Sequence, residues 1–507
     1  MYPTFEKIRE IAAGDYKRIP ICKELYADSY TPVEMMRILQ KASHHCYLLE
    51  SASQSEAWGR YSFLGYDPSM EITCTDGILR IRKTSKTETF GRSGNAAESS
   101  TENSTEEVRQ VAHPGDAIRE IISQYKSPVM DDMPTFTGGL VGYFSYDYIK
   151  YSEPKLKLED KEQQDFRDMD LMLFDQVIVF DHFKQKVLLI TGVMTDNLEA
   201  SYETAIKKLD EMAQLIRDGE HMEFEPLKLQ SEIQPKFPKE KYADMVEKAK
   251  HYIKEGDIFQ VVLSNPMRAK ATGSLFDTYR VLRASNPSPY MFYLSGGDVE
   301  LTGASPETLV KLTDGKMYTF PIAGTMRRGK NEAEDLAIEE KLINDEKELA
   351  EHNMLVDLGR NDLGKISKFG SVKVEALHML QRFSHVIHIT STVSGDIQDG
   401  KDALDAIGAT LPAGTLSGAP KIRAIEILHE LEKSPRGVYG GAVGYIDFSG
   451  NMDVCIGIRM AMNKGGKVYV RAGAGIVRDS VPESEFNETL IKGQSMISAI
   501  TDAQEVE

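Results

Sequence analysis

The sequence predicts an α+β fold in which large antiparallel sheets pack together with helices outside. Three observations carry that expectation. The strand-like runs DQVIVFDHF and KVLLITGV follow one another with no helical pattern between them, which favours antiparallel pairing over a doubly wound sheet. GGLVGYFSYD (138–147) and GGAVGYIDFSG (440–450) share Gly-Gly-x-Val-Gly-Tyr, so each half should place a strand with close-approach glycines at an equivalent position. The nucleotide motifs of doubly wound folds are missing: there is no G-x-x-x-x-G-K-[ST], and RAGAGIVRD (471–479) has the first two glycines of a dinucleotide fingerprint without the third.

A chain of 507 residues, 41% hydrophobic and 27% charged, has the composition of a globular protein with more than one lobe. Its net charge of −18 argues against nucleic acid, and an anionic ligand would need local cations, a metal or concave backbone N–H groups. Cys22, Cys46, Cys74 and Cys455 show no metal-ligand spacing and fit a reduced, cytoplasmic protein. The charged start MYPTFEKIREIAAGDYKR lacks a signal-peptide core, and no run approaches the roughly 20 apolar residues of a membrane span. Residues 1–226 read as an amino-terminal lobe, with a polar, low-complexity loop at 83–110. The proline-bearing passage LKLQSEIQPKFPKEKY places a connector at 227–238, and the glycine turns that follow place the chemistry in 239–507.

Two acidic pairs stand out there. NDEKELAEHNMLVDLGRND (344–362) reads as a helix stopping at Gly359, with Glu348 and Glu351 one turn apart on the face of Leu355. In SVPESEFNETLIKGQ (480–494), Pro482 suits a first helical turn, and Glu485, Glu488 and Lys492 share a face. Either pair alone reads as a solvated surface. Brought together, four carboxylates would need a cation, and oxygen-only ligands point to Mg²⁺. Arg459, within the strand-like VCIGIRMAM, calls for a carboxylate or phosphate, whether from a ligand or a structural ion pair. The glycine turns RAGAGI and PAGTLSGAPK, the second ahead of the helical run KIRAIEILHELEK, offer backbone N–H groups to an anion or are plain loops. His388 lies in FSHVIHITSTV, on one face with Val386 and Thr390, where a core histidine is the ordinary outcome.

GASPETLV (303–310), PIAGTMRRG (321–329), EHNMLVDLGRND (351–362), AGTLSGAPK (413–421), GVYGGAVGY (437–445) and RAGAGIV (471–477) together resemble the chorismate-utilising enzymes, specifically the large subunits of anthranilate synthases. The resemblance is strong from Lys239 onward and thinner in the amino-terminal lobe, where LLES (48–51) and RYSFLG (60–65) carry it. It implies Mg²⁺ held by Glu351 and Glu488, supported by Glu348 and Glu485, against the ring carboxylate of chorismate. It implies that the second carboxylate meets Arg459, Tyr439 and the backbone of Gly473, Ala474 and Gly475. Gly324 and Thr325 would touch the ring-carboxylate end, Thr415 would line the pocket, and Lys492 would neutralise charge.

The implied reaction adds ammonia to the ring, expels the hydroxyl with a proton from Glu307, and eliminates pyruvate with help from His388. Gln260, in EGDIFQVVLSN, stands where water-using members carry an activating lysine. Ala323, in PIAGT, stands where aminodeoxychorismate synthases commonly carry a nucleophilic lysine. Anthranilate, the first step of tryptophan biosynthesis, is therefore the expected product. An aminodeoxychorismate synthase large subunit is the alternative, and a catalytically silent tryptophan sensor is a further one. The chain has no Gly-x-Cys-x-Gly nucleophile elbow, so a separate glutamine amidotransferase subunit would supply ammonia within a hetero-oligomer, expected as a heterotetramer. Feedback by tryptophan is implied at Leu49, Glu50, Ser51, Pro289, Tyr290, Met291, Val443 and Tyr445, with a carboxylate and a hydroxyl there holding the ammonium group.

Overall fold

The computed structural model describes residues 1–52, 59–83, 105–156, 158, 165–382 and 386–506. Every strand pairing within its two large sheets is antiparallel, as expected. One sheet runs Arg18–Tyr26, Lys186–Met194, Val177–Asp181, Tyr61–Tyr66, Cys46–Glu50, Tyr290–Ser295, Val299–Ser305, Met460–Lys464, Lys467–Ile476, Gln260–Thr272. The other runs Ile322–Arg327, Val386–Asp396, Lys316–Thr319, Thr308–Thr313, Met452–Ile456, Ala442–Asp447, Gly139–Phe144, Met169–Phe174, Met70–Thr75, Ile78–Lys83, Thr105–Gln110. Segments 1–226 and 239–507 thus share both sheets. They meet where Leu49 pairs with Phe292 and where Gly142 pairs with Gly444.

Period-two alternation sorts side chains into layers. Along Lys186–Met194, Val187 and Leu189 face an outer cluster with Met35, Leu209 and Met496 from helices Pro32–Ala42, Leu198–Asp218 and Pro482–Asp502. Leu188 and Ile190 face inward, joining Tyr143 and Val443 of the opposite sheet. The second sheet buries its outer face against Ile118, Val356 and Ile407 of helices Pro114–Ser123, Glu346–Gly364 and Ala403–Thr410.

The repeated Gly-Gly-x-Val-Gly-Tyr finds a physical reason in this stacking. Its two copies are direct strand partners, and a Cβ on Gly142 would lie 2.0 Å from the Asp170 carbonyl oxygen. Only glycine admits that approach. The connector 227–238 joins the sheet edge through Lys228–Leu229 and Gln234–Pro235, both paired with Gln260–Thr272. The expected loop at 83–110 gives an edge strand at Thr105–Gln110, while 84–104 lie outside the described residues. Among the described residues all four cysteines are free and buried, and no helix is long and apolar enough to cross a membrane.

Candidate functional site

Helix Glu346–Gly364 begins where the Asp345 carboxylate accepts the backbone N–H groups of Lys347 and Glu348 at 3.1 and 3.2 Å. It does not stop at Gly359. A Cβ there would lie 3.0 Å from Thr319 Cγ2, so the glycine lets helix and sheet close up rather than ending the helix. Glu348 and Glu351 lie half-buried beside the fully buried His352 and Leu355. Helix Pro482–Asp502 starts at the proline as expected and presents Glu485 and Glu488, also half-buried. Lys492 Nζ pairs with Glu488 at 2.5 Å and donates to the Gly473 carbonyl at 3.1 Å.

The two acidic pairs feel one another. Burial raises the Glu351 carboxyl, as do the charges of Glu348 and, from the other helix, Glu488; Lys347 and Lys492 oppose this. Burial and Glu488 raise Glu485, against the Ser480 hydroxyl, Lys492 and Lys347. Yet among the described residues no three His, Cys, Asp or Glu side chains are gathered closely enough to hold a metal ion by themselves. The two carboxylate pairs offer hard oxygens with little cationic charge beside them. That fits an ion that takes one or two carboxylates and fills its shell with water and substrate oxygens.

Around these acids the sheets supply a polar wall. Gly324, at φ 68°, brings its strand to helix Glu346–Gly364: a Cβ there would sit 3.3 Å from Glu348 Oε2. Its neighbour Thr325 pairs with His388, and Thr325 Oγ1 lies 3.0 Å from His388 Nδ1. His388, on strand Val386–Asp396, is held below its usual pKa by burial and by nearby Arg459, with the Gly324 carbonyl opposing.

Arg459 departs from the expected strand. The run VCIGIRMAM splits into Met452–Ile456 in one sheet and Met460–Lys464 in the other, with Arg459 at φ 52° where the chain crosses over. Among the described residues its guanidinium makes no hydrogen bond or ion pair, and burial lowers its pKa while Tyr439 and Glu488 raise it. A half-buried arginine without a carboxylate is a ready anion receptor. Beside it, Gly473, Ala474 and Gly475 lie on strand Lys467–Ile476, paired with Ser264, Leu263 and Val262. A Cβ on Gly473 would lie 2.9 Å from the Tyr439 hydroxyl, and one on Gly475 would lie 2.7 Å from Gln260 Nε2. These glycines therefore clear the space between Tyr439 and Gln260.

Glu307 follows strand Val299–Ser305, and burial pushes its carboxyl up to about 7. The opposing effect is the Thr415 hydroxyl, donating to Oε1 at 3.0 Å. Both line a cleft of about 420 Å³ with Leu355, Gly359, Asp362 and Ile456.

A second cleft of about 990 Å³ lies between the sheets. Leu49, Glu50, Ser51, Pro289, Tyr290, Met291, Val443 and Tyr445 all line it, joined by Arg60, Lys311 and Asp453, which sequence reasoning missed. Asp453 could have been found from register, since it pairs directly with Tyr445. The Glu50 carboxylate, expected at the ammonium group, already has protein partners. It accepts from Arg283 Nε at 2.9 Å, from Ser62 Oγ at 2.8 Å and from the Tyr279 hydroxyl. Strand alternation turns that side chain toward helix Phe276–Ser285.

A family model described as chorismate binding enzyme matches residues 45–498. Anthranilate synthase component 1 of Acetivibrio thermocellus is 41% identical over 515 residues, covering 100% of this chain and 99% of its own. The protein of that name from Aquifex aeolicus is 42% identical, covering 99% and 98%. Among solved structures, anthranilate synthase component I from Streptococcus pneumoniae TIGR4 matches with a TM-score of 0.72 and 38% identity, covering 86% of this chain and 92% of that one. The menaquinone-specific isochorismate synthase MenF from Escherichia coli, at 16% identity and a TM-score of 0.67 over 98% of both chains, shares the fold.

Proposed function

The chain belongs to the chorismate-binding enzyme family, and on that premise we propose that it aminates chorismate with ammonia and eliminates pyruvate to give anthranilate. The observation that carries this reading is the absence of lysine at two positions. Gln260, beside Gly475, cannot serve as a water-activating base, and Ala323, next to Gly324, cannot attack the ring. The nucleophile is then ammonia, brought to the site rather than supplied by a side chain.

Mg²⁺ would be held by Glu351 and Glu488, with Glu348 and Glu485 in support; bound there, it would draw electron density toward the ring carboxylate. Arg459, the Tyr439 hydroxyl and the backbone of Gly473–Gly475 receive the second carboxylate. Gly324 and Thr325 bound the ring, Thr415 lines the pocket, and Lys492 offsets the charge. Glu307, with a pKa of about 7, keeps a proton for the departing hydroxyl at neutral pH. His388 Nδ1 lies 3.3 Å from the Gly324 carbonyl, which can only accept. That contact favours the Nδ1–H tautomer and leaves Nε2 to take a ring proton. The balance closes without net proton uptake: chorismate and ammonia become anthranilate, pyruvate and water.

Tryptophan would occupy the second cleft and inhibit. The carboxylates at that cleft are Glu50, which also binds Arg283, and Asp453, which accepts from the Tyr290 hydroxyl at 2.8 Å and pairs with Lys311 at 3.4 Å; either would meet the ammonium group in competition with those partners. A glutamine amidotransferase subunit would deliver ammonia, since this chain has no elbow cysteine.

The deciding assay is anthranilate fluorescence from chorismate, ammonium and Mg²⁺, repeated after Glu351→Gln. Anthranilate and pyruvate should form together, and the variant should be silent. Accumulation of 4-amino-4-deoxychorismate without pyruvate would assign the other aminating activity. Tryptophan binding with no turnover would make the chain a sensor. Anthranilate formed from glutamine without added ammonium would remove the partner.

A further inference from the structure

Helix Lys421–Glu432 ends on a buried acid, which its own dipole disfavours. Glu432 Oε1 accepts from Ser264 N and Oγ at 2.8 and 2.9 Å and from Arg436 Nη2 at 2.6 Å. Its Oε2 accepts from Arg436 Nε at 3.0 Å and Arg471 Nη2 at 2.7 Å. All three side chains are almost fully buried, at 3%, 4% and 7% exposed. Asp147 balances the second guanidinium charge, accepting the backbone N–H groups of Arg436 and Gly437. Replacing such a cluster by apolar residues is often neutral or stabilising, so its retention asks for a role besides stability.

Its outward bonds supply one. Arg436 Nη1 donates to the Leu416 carbonyl at 2.6 Å, next to Thr415, which holds Glu307. Arg436 Nη2 also donates to the Val262 carbonyl at 2.7 Å, and Val262 pairs with Gly475. Arg471 Nε donates to Ser264 Oγ at 2.8 Å, and Ser264 pairs with Gly473. The Arg471 guanidinium lies 5.9 Å from the centre of the Tyr439 ring.

We propose that Glu432, Arg436 and Arg471 form a positioning cluster that fixes the Thr415–Glu307 acid relative to the Tyr439 and Gly473–Gly475 anion wall. Arg436 holds the acid side through Leu416 and also braces the wall through Val262, Arg471 acts on the wall alone, and Glu432 locks them together. None of the three touches the reacting atoms. The inference rests on the function proposed above. The full chain must first turn over chorismate with ammonium, and failure there strikes the function rather than the cluster.

The test compares Arg436→Lys with Arg471→Lys. Lysine keeps the charge but cannot reproduce the two-pronged donation. Arg436→Lys should loosen Thr415, lower kcat about tenfold and move the alkaline limb of its pH profile upward, with a rise in KM for chorismate smaller than that of Arg471→Lys. Arg471→Lys should raise KM about tenfold and leave the alkaline limb in place. Adding Thr415→Val to Arg436→Lys should move the limb no further, because both act through one hydrogen bond. Equal losses in both variants with an unmoved limb, or additive shifts in the double variant, would overturn the proposal. Should either lysine variant fail to fold, Ser264→Ala carries the test, since it removes one hydroxyl and leaves the ions paired. A several-fold rise in KM at constant kcat supports the cluster; an unchanged KM overturns it.

Discussion

Glu307→Gln separates two consequences of burying one carboxyl. Burial raises its pKa from 4.5 to about 7, so folding favours the protonated form. The stability this group contributes is fully present below about 4.5 and is lost as pH rises through about 7. The span of 7 − 4.5 = 2.5 units corresponds to roughly 3.4 kcal/mol, and solvent contact at the partly exposed side chain trims this to about 2–3 kcal/mol. Glutamine keeps the shape without ionising, so at about pH 8 the variant should be the more stable protein by that amount. A chain of 507 residues unfolds with an entropy on the order of 1 kcal/mol/K, so the expected rise in Tm is only about 2–3 °C. Differential scanning fluorimetry at about pH 8 and about pH 5 should show the gap closing at the lower pH, where the difference falls to under about 1 kcal/mol. The same change removes the acid. Anthranilate formation should drop about 10²–10⁴-fold, and the parent's rate, at fixed free ammonia, should decline above about pH 7. A variant no more stable than the parent at high pH would refute the burial argument. A variant that keeps its activity would refute the acid.

The other expectations concern the anion wall, the acidic pairs and the second cleft. Arg459→Ala should raise KM for chorismate by roughly 10–100-fold, the worth of charge-assisted hydrogen bonds to a carboxylate, with Tm unchanged or higher. A lower Tm with an unchanged KM would mean an ordinary structural arginine. Mg²⁺ should raise the Tm of the parent and not that of Glu351→Gln, a readout independent of turnover; an equal rise in both would move the metal elsewhere. Tryptophan should raise the Tm of the parent, and Ser51→Phe, by filling part of the second cleft, should cut that rise; an equal rise in both would take tryptophan out of that cleft.

What the sequence disclosed and what it hid follow from the range of the forces involved. Local periodicity revealed the helix at Pro482, the alternation at His388 and the twin glycine motifs, because each depends on neighbours a few residues away. It could not reveal that Gly142 and Gly444 face each other, since that pairing spans some three hundred positions. Nor could it show that VCIGIRMAM breaks at Gly457–Arg459 to change sheets, although the glycine was the available hint. LLES does edge the second cleft, but the sequence could not show that Arg283, from a distant helix, pairs with the Glu50 carboxylate. Glu432, Arg436 and Arg471 escaped notice because a helix-ending acid and scattered arginines read as solvated charge. Only the fold shows them buried together. Their burial changes how the site's precision is understood. Glu307 gains its proton affinity from burial, and largely buried surroundings offer few partners to hold it still. Thr415 is the hydrogen-bond donor that the structure gives it, and Thr415 sits on a short turn anchored through the next carbonyl by Arg436. A site that must keep its acid desolvated therefore needs its rigidity supplied from behind, by ions paired out of reach of both water and substrate.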